Sequence, residues 1–380
     1  MGAVYDVIVA GVGASGSAVA CELARRGSRV LGLDRFSVPN DRSSHHGLTR
    51  IIRLAYFEGA AYVPFVRRAH ELWRRLERDT GESILTVTGS LDAGPPGSAN
   101  IESAAASCRV NGLDHEVLDG GAIGRRFPGY AVPADWRGVY QPDGGFLASE
   151  AAVAAHAGLA RRFGAEIRTG ERVLGWEPKG DGVAVRTEAG TYEAGHLVVS
   201  AGPWVADLVP ELKRNLVPLR QVVCWFEIAD PDAFAPSRFP VFVVENEEGT
   251  QFYGFPEWGA PGFKIGCHYH LREATDPDAL DRTLHARDED LLRSCVARFF
   301  PAANGRVLDH RACIYTNAPD EDFVIDRLPG FPQVVVASAC SGHGFKFAPA
   351  VGEAVADLVG QGRSRHDLDR FRLSRLPSHA

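Results

Sequence analysis

The sequence lacks the features that mark membrane, secreted and nucleic-acid-binding proteins. No apolar run comes near the roughly 20 residues of a membrane-spanning helix. The apolar start contains Asp6 and no basic region, unlike a signal peptide. The net charge of −7 gives no basic field that would attract nucleic acid, and the seven cysteines are odd in number and not closely paired. These absences predict a cytoplasmic protein with reduced thiols and with no membrane or nucleic-acid partner.

Several chemical motifs are missing too. No Cys/His spacing matches a zinc site and no GxSxG nucleophile elbow is present, so we expect neither a metal site nor a serine hydrolase. The sequence contains no internal repeat and no low-complexity tract. What remains is an ordinary globular composition of 380 residues, 45% hydrophobic and 23% charged, which is enough for two or three domains.

Strand and helix patterns alternate at the start of the chain. Residues 5–10 predict a buried strand, residues 14–26 a helix closed by Gly27, and residues 29–34 a second strand, which together make one βαβ unit. Helical patterns recur at 62–79, 151–163 and 348–360, strand patterns recur at 182–187, 191–200 and 333–338, and residues 94–99 predict a loop.

Strand-like runs separated by turns fill residues 216–320 and predict an antiparallel sheet. The whole pattern predicts an α/β fold with an α+β second layer. In it, a discontinuous Rossmann-type nucleotide-binding domain (1–80, 145–215 and 321–380) is interleaved with an antiparallel-sheet substrate-binding domain (81–144 and 216–320).

A GxGxxG motif stands between the first strand and the first helix. Gly11 permits the tight turn, Gly13 lets the backbone approach a pyrophosphate, and Gly16 lets the helix pack close to the strand. Asp34 follows 23 residues after Gly11, at the end of the second strand, where a carboxylate can accept ribose hydroxyls. This context predicts a dinucleotide site but does not distinguish FAD from NAD.

A second segment favours a flavin. Residues 197–204, including Ser200 and Gly202, form an apolar strand that ends in small residues and a turn, which would pass close beneath a dinucleotide. An ordinary strand followed by a turn explains this segment equally well.

Cations cluster in residues 43–53, SSHHGLTRIIR. Such runs usually form a solvated basic helix face. On a helix, however, Arg50 and Arg53 would share one face while Ile51 and Ile52 point inward. Two cations about 4 Å apart beside a core repel by roughly 4 kcal/mol at an effective dielectric of 20, so an anionic ligand between them is an alternative interpretation.

Three further positions each allow two interpretations. Lys346, in the segment SGHGFKF, either contacts a ligand or extends past its neighbouring phenylalanines to solvent. Lys264 and His268 share one face of a strand pattern, which on an amphipathic sheet would be the solvated face. Cys313, as a lone cysteine in a strand, has no spacing that separates it from an inert core residue.

At this point the sequence resembles the monomeric sarcosine oxidase and N-methyltryptophan oxidase family. The resemblance lies in SSHHGLTRIIR (43–53), YGFP (253–256), FKIGCH (263–268), CIYTNAPDEDFVID (313–326) and SGHGFKF (341–347), and it extends over nearly the whole chain. It implies that FAD is the cofactor and that Cys313, at the head of the motif CIYT, carries it covalently. The attacking group would be the thiolate, which neighbouring cations would favour.

The resemblance also implies roles for single residues. Arg53 and Lys346 would bind the substrate carboxylate, and Lys264 would activate oxygen. Arg50 and His46 would lie against the opposite face of the flavin, and His268, Tyr253 and Tyr315 would line the amine pocket. The full cofactor-binding set would be Gly11, Gly13, Gly16, Asp34, Arg35, His45, Thr49, Arg50, Arg172, Val173, Ser200, Gly202, Cys313, Gly342, Gly344, Phe345 and Lys346.

The sequence departs from the family pattern at a few positions. Leu48 stands where the family has an acidic residue, Ala339-Cys340 replaces a glycine and an apolar residue, and Glu247 and Glu248 occupy a loop expected near the substrate entrance. These departures concern the substrate more than the cofactor.

The sequence therefore predicts a monomeric FAD-dependent amine oxidase that acts on a small N-methyl amino acid such as sarcosine and reduces O₂ to hydrogen peroxide. A cyclic amino acid of the pipecolate, piperideine-carboxylate or proline type is the alternative substrate. A nicotinamide-dependent dehydrogenase and a redox-sensing or FAD-storing binding protein are the rival functions.

Overall fold

The computed structural model describes residues 5–377. The helices of this part of the chain are α1 (Ala14–Arg25), α2 (Val63–Thr80), α3 (Ala99–Asn111), α4 (Gly120–Arg126), α5 (Ser149–Arg162), α6 (Val205–Leu208), α7 (Ala286–Phe299) and α8 (Ala348–Gln361). Short 3₁₀ turns, such as Phe345–Phe347, connect some of them.

The strands are β1 (Tyr5–Ala10), β2 (Val30–Asp34), β3 (Thr49–Ile52), β4 (Leu85–Val87), β5 (Ser90–Gly94), β6 (Glu116–Asp119), β7 (Arg137–Gln141), β8 (Gly145–Ala148), β9 (Glu166–Thr169), β10 (Val173–Lys179), β11 (Gly182–Thr187), β12 (Thr191–Val199), β13 (Val217–Phe226), β14 (Val241–Glu245), β15 (Gln251–Gly254), β16 (Phe263–Cys267), β17 (Val307–Asn317), β18 (Val324–Leu328) and β19 (Phe331–Ser338). They form three sheets.

The first sheet carries the predicted βαβ unit. Strand β1 pairs in parallel with β2 on one side and with β12 on the other, and β9 and β19 extend the parallel part. Helix α1 contacts both α5 and α8 beside it. Ile8 pairs with Leu31 and Leu197, and all three are fully buried, because parallel strands covered on both faces need continuous apolar runs. The predicted Rossmann-type fold is confirmed.

The second sheet has the strand order β17-β13-β16-β15-β14-β5-β7-β6. Its pairs are antiparallel except for β14 with β5, which are parallel. The predicted antiparallel pairing is confirmed for the strands within residues 216–320, and the parallel pair joins β14 to β5, which lies outside that range. Strands β5 and β14 are joined by a long connection rather than a hairpin, and a connection of that length allows parallel pairing.

Helix α7 interrupts the region predicted as strands and turns. Its apolar residues Leu292, Cys295, Val296 and Phe299 recur at helical spacing and are buried. The helix begins at a capping box in which His285 accepts from the backbone and Asp288 bonds back. The sequence contains this helical spacing, but the prediction of strands for residues 216–320 did not use it.

The two faces of the second sheet differ in character. Alternate residues such as Leu91, Phe242 and Ile265 form an apolar core. Because side chains alternate across a strand, the residues between them point the other way. That opposite face carries Asp92, Val243, Tyr253, Lys264 and Cys313, so the strand period gathers the chemically active side chains on one side of the sheet.

The third sheet is small and has the order β3-β8-β4. Its strand β3 lies within the segment whose arginines we placed on a helix, so that helical interpretation is wrong. The β-branched residues Thr49, Ile51 and Ile52 favour a strand, and they pair in antiparallel register with β8. On a strand, Arg50 and Arg53 do not share a face.

None of the helices found between residues 5 and 377 is both long and apolar enough to cross a lipid bilayer.

Candidate functional site

A cleft lies where β1, α1 and the strand end at Ser200 meet the polar face of the second sheet. Most of the predicted site residues line it, namely Gly11, Gly13, Asp34, Arg35, His45, Arg50, Arg53, Arg172, Val173, Ser200, Gly202, Tyr253, His268, Cys313, Tyr315, Gly342, Gly344, Phe345 and Lys346. Gly16, His46, Thr49 and Lys264 are not among the lining residues. The structure thus brings together segments that are widely separated in sequence.

The turn after β1 admits only glycine at two positions. Gly11 has φ of +91°, and a Cβ built on it would lie 2.5 Å from the Ser200 carbonyl oxygen. A Cβ on Gly16 would lie 1.9 Å from the Gly11 carbonyl oxygen. The chain therefore passes unusually close to its neighbours here, which leaves the amide end of α1 open to the cleft.

Asp34 closes the same part of the cleft at the end of β2. Its carboxylate accepts hydrogen bonds of 2.8 Å from the amides of Val12 and Phe36, one on each oxygen. Burial raises the pKa of Asp34, although both amide bonds oppose that shift. The turn and the carboxylate together fit the phosphate and ribose ends of a dinucleotide.

Arg35 and Arg172 lie further along the cleft. Arg35 pairs with Asp278 at 2.5 Å and lies over the Trp204 ring at 5.8 Å. Arg172 pairs with Asp207 at 3.2 Å. Both arginines are already neutralised by carboxylates in this structure.

Cys313 lies on β17, buried, with Gln221 as its cross-strand partner. Burial raises the pKa of its thiol, while the charges of Arg50 and Lys264 lower it. Burial outweighs the two cations, so the pKa of the Cys313 thiol lies above its ordinary value. His46 donates from Nε2 to the Ala312 carbonyl at 3.0 Å, next to the cysteine.

No carboxylate within residues 5–377 forms an ion pair with Arg50. Its guanidinium donates hydrogen bonds of 2.7 Å to the backbone carbonyls of Ser44, His46 and Thr49. These acceptors are neutral, so none of the groups that Arg50 bonds to neutralises its charge. A bound anionic group would supply the compensation.

Lys264 is buried, with 3% of its surface exposed, so its placement on a solvated sheet face is wrong. Its ammonium donates to the Gly47 carbonyl at 2.5 Å, the Thr49 carbonyl at 3.0 Å and the Thr49 hydroxyl at 2.8 Å. It also lies 4.4 Å from the centre of the Phe255 ring. Burial is the first cause that places the pKa of Lys264 well below its ordinary value, and Arg50 adds to it.

Arg53 forms a buried ion pair that the sequence did not suggest. Its Nη2 donates to both oxygens of Glu58 at 2.8 Å, and its Nη1 donates to the Ala55 carbonyl at 2.7 Å. Burial alone would raise the pKa of Glu58, but Arg53 overrides it and holds the pKa at about 2. The guanidinium carbon also lies 4.1 Å from the centre of the Phe57 ring.

Lys346 lies in the 3₁₀ turn before α8 and is buried, so it does not extend to solvent. Its ammonium donates to the His343 carbonyl at 2.7 Å. Burial and the charge of Arg53 lower the pKa of Lys346 to about 7. Lys346 and Arg53 lie 5.3 Å and 4.7 Å from the centre of the same Tyr56 ring, so the two cations flank one aromatic group.

Two tyrosines and a histidine complete this end of the cleft. The Tyr315 hydroxyl donates to the Tyr253 hydroxyl at 3.4 Å, and the His268 ring lies 5.9 Å from the Tyr315 ring. Burial lowers the pKa of His268 to about 3, so the ring is neutral near pH 7. A Cβ on Gly342 would strike both Tyr315 and His268, which explains a glycine with φ of +78° here.

Several residues of the site were missed by the sequence analysis. Phe57, Glu58 and Gln251 line the cleft. Asp92 lies behind Arg53, with 3.9 Å between Oδ2 and Nη1, and among residues 5–377 neither of its oxygens has a hydrogen-bond partner. Only Asp92 carried a usable signal, because a carboxylate between Leu91 and Ala93 interrupts a buried apolar strand.

Comparison with known proteins now decides the family. The model of the FAD dependent oxidoreductase family matches residues 6–358. This chain belongs to that family. Membership of this family identifies the cofactor as FAD rather than NAD, and the Gly11 turn and Asp34 fit that cofactor.

Individual relatives show which members of this family the chain resembles. The chain is 41% identical to a monomeric sarcosine oxidase of Bacillus sp. (strain NS-129) over 376 residues, covering 98% of this chain and 97% of the relative. It is 39% identical to N-methyl-L-tryptophan oxidase of Salmonella heidelberg, with 98% and 99% covered. The predicted membership of the sarcosine oxidase and N-methyltryptophan oxidase group is confirmed.

Among solved structures, NikD, an unusual amino acid oxidase essential for nikkomycin biosynthesis, is similar with a TM-score of 0.84. It is 29% identical, with 99% of each chain covered. An L-proline dehydrogenase of P. horikoshii, at 21% identity and a TM-score of 0.85, shares the fold. The chain is therefore a flavin-dependent amine oxidase in fold and family.

Proposed function

We propose that this enzyme oxidises the carbon–nitrogen bond of a small secondary amino acid, with N-methyl amino acids such as sarcosine as the first candidates. Secondary amine and O₂ give an imine and hydrogen peroxide, and water then hydrolyses the imine to an amine and an aldehyde. FAD, when bound, supplies the redox chemistry by taking two electrons from the substrate and passing them to oxygen. The chain itself binds and orients the substrate and sets the electrostatic field around it.

The observation that carries this proposal is the pair of buried cations at Tyr56. Arg53 presents a planar fork suited to both oxygens of a carboxylate, and Lys346 adds a point charge from another segment. The substrate carboxylate would replace Glu58 as the partner of Arg53. Displacing Glu58 from Arg53 without another anion would leave a buried cation unpaired, which is costly, so a ligand that takes this place must carry an anion.

The amine end of the substrate would lie toward Tyr253, Tyr315 and His268. The ring of His268 is neutral because burial lowers its pKa to about 3, and burial raises the pKa of Tyr253 to about 12. These groups offer hydrogen bonds without a charge that would repel or trap an amine. They therefore suit an uncharged secondary amine, the form that can be oxidised.

We assign two further roles to single residues. Cys313 would hold FAD covalently through Sγ, with Arg50 and Lys264 favouring its thiolate form against the effect of burial. Lys264 would supply positive charge where oxygen becomes negative during its reduction. Both assignments are supported by the family and by the position of these side chains on the polar face of the second sheet.

A cyclic secondary amino acid of the pipecolate or proline type is the second candidate substrate. Ala339 and Cys340, the residues that depart from the family pattern, both line the cleft and alter its wall. A screen of hydrogen peroxide release over N-methylated and cyclic amino acids separates the two candidates. Release with neither class would overturn the proposed function.

A further inference from the structure

The turn at Gly47 and Leu48 is held by one carboxylate. Glu150 accepts a hydrogen bond of 2.6 Å from the Gly47 amide and two of 3.1 Å from the Leu48 amide. Leu48 has φ of +74°, a left-handed conformation that a branched side chain adopts only under constraint. Glu150, at the start of α5, supplies that constraint.

The same turn holds Lys264 from its other side. The Gly47 carbonyl and both oxygens of Thr49 accept the three N–H bonds of the Lys264 ammonium. All three acceptors are neutral, so the charge of Lys264 is not neutralised by the groups that it touches. Glu150, the Gly47 turn and Lys264 therefore form one connected unit.

The charged groups around Lys264 shift its pKa in opposite directions. Burial, Arg50 and Arg311 lower the pKa of Lys264, whereas Glu150 and the Cys313 thiolate raise it. Once the Cys313 sulfur is bonded to a carbon, it carries no charge and this contribution disappears. Among the described residues with the largest effects on the pKa of Lys264, Glu150 is then the anion that remains.

Glu150 itself stays ionised. Burial alone would raise its pKa, but the Ser149 hydroxyl, the two turn amides and Arg50 lower it below the ordinary value. The nearest histidines, His45 and His46, are neutral at pH 7 because burial lowers the pKa of each to about 4. Glu150 is thus negatively charged at pH 7.

We propose that Glu150 is a positioning residue for the reaction with oxygen, because it fixes the turn that holds the Lys264 ammonium and adds a negative charge on the far side of that turn. This inference rests on the oxygen-activating role proposed for Lys264. It assigns a function to Glu150, a residue that does not line the cleft at its substrate end or at the Gly11 turn.

The direct test is the titration of Lys264. The chain contains only four lysines, Lys179, Lys213, Lys264 and Lys346, so ¹³C-labelled lysine gives a simple NMR spectrum, and Lys264→Met assigns the signal. We expect Glu150→Gln to move the Lys264 titration to lower pH by about one pH unit or more, because an opposite charge nearby has been removed. An unmoved titration would overturn the proposal.

The kinetic test separates the two halves of turnover. With Glu150→Gln, reoxidation of the reduced enzyme by O₂ should slow about tenfold at pH 7, while anaerobic reduction by substrate changes little. The reoxidation rate should also fall at a lower pH than in the wild type. A matched control is Ser149→Ala, which removes a hydrogen bond of 2.8 Å to Glu150 but leaves its charge. A role in folding alone would slow both halves equally and leave the pH profile in place.

A second variant separates charge from turn geometry. In Leu48→Gly/Glu150→Gln, glycine adopts the left-handed conformation without strain, so the turn forms without its carboxylate. We expect the Lys264 titration to stay low in this variant; a return to the wild-type value would contradict the charge role. If Lys264→Met reoxidises normally, the proposed function of Lys264 fails. If only Lys264→Met is slow and Glu150→Gln is normal, this inference fails alone.

Discussion

Arg53 donates from one nitrogen, Nη2, to both carboxylate oxygens of Glu58, at 2.8 Å each. Glu58 thus occupies the place at which a substrate carboxylate would bind, and the pair lies against the Phe57 ring. On the proposed function, substrate binding would exchange one carboxylate for another at the same arginine. This exchange avoids leaving the buried guanidinium without an anion.

We expect Arg53→Ala to weaken substrate binding by roughly 3–5 kcal/mol, because it removes the fork and leaves Glu58 buried without its partner. The apparent dissociation constant, measured by flavin absorbance changes under anaerobic conditions, should rise by at least two orders of magnitude. Arg67→Ala, which removes an exposed arginine bonded to the Asn111 carbonyl, is the control. Equal affinities in both variants would contradict the carboxylate-binding role.

Cys313→Ala should release FAD when the protein is denatured in acid. The wild type should keep its yellow colour in the precipitate, because the covalent bond survives unfolding. Cys340→Ala is a matched control, since Cys340 lines the same cleft and should not carry the flavin. Free flavin in the supernatant of the wild type would exclude the linkage.

The sequence predicted much of the fold, because the first βαβ unit and the later strands follow simple apolar periods. It also predicted that Gly11, Cys313 and Lys346 would line one cleft, a result that the family motifs made possible. The helical placement of Arg50 and Arg53 failed because their spacing of three residues fits one face of a helix, whereas the segment pairs as a strand. Pairing with β8 decided the outcome, and no local pattern reports pairing.

The residues that the sequence analysis missed either have partners far away along the chain or lie in an irregular loop. Glu150 contacts Gly47 across 103 residues. Glu58 follows β3 in a loop where no periodic pattern points inward. Their roles depend on the burial of a partner cation, and burial of a charged group is a property of the folded chain.

Lys264→Met should slow reoxidation of the reduced enzyme by two to three orders of magnitude, about the 3–4 kcal/mol that a preorganised charge contributes. Substrate reduction should be much less affected. Lys346→Met is the contrast, because it should weaken substrate binding and leave reoxidation near normal. Stopped-flow measurement of both half-reactions checks the prediction, and an unchanged reoxidation rate in Lys264→Met would refute it.

Because Asp92 is buried, we predict that the free energy of unfolding depends on pH. Burial raises its pKa to about 6, above the ordinary 3.8, so its folded-state stabilisation is present below pH 3.8 and is lost as pH rises through 6. Asp92→Asn should therefore stabilise the protein at pH 8 by up to about 3 kcal/mol and have little effect at low pH. Thermal unfolding at pH 5, where the stabilisation should be smaller, and at pH 8, where it should be full, measures this difference, with exposed Asp114→Asn as the control. Equal effects at both pH values would show that Asp92 does not titrate in this range.

The central claim is that the enzyme oxidises amines that carry a carboxylate. The most direct test compares hydrogen peroxide release from an N-methyl amino acid, such as sarcosine, with release from its amide at equal concentration. The two substrates differ only in the group that Arg53 and Lys346 would bind. We predict rapid release from the acid and a rate lower by at least two orders of magnitude from the amide. Equal rates from the two substrates would contradict the account of this site as an amino-acid oxidase.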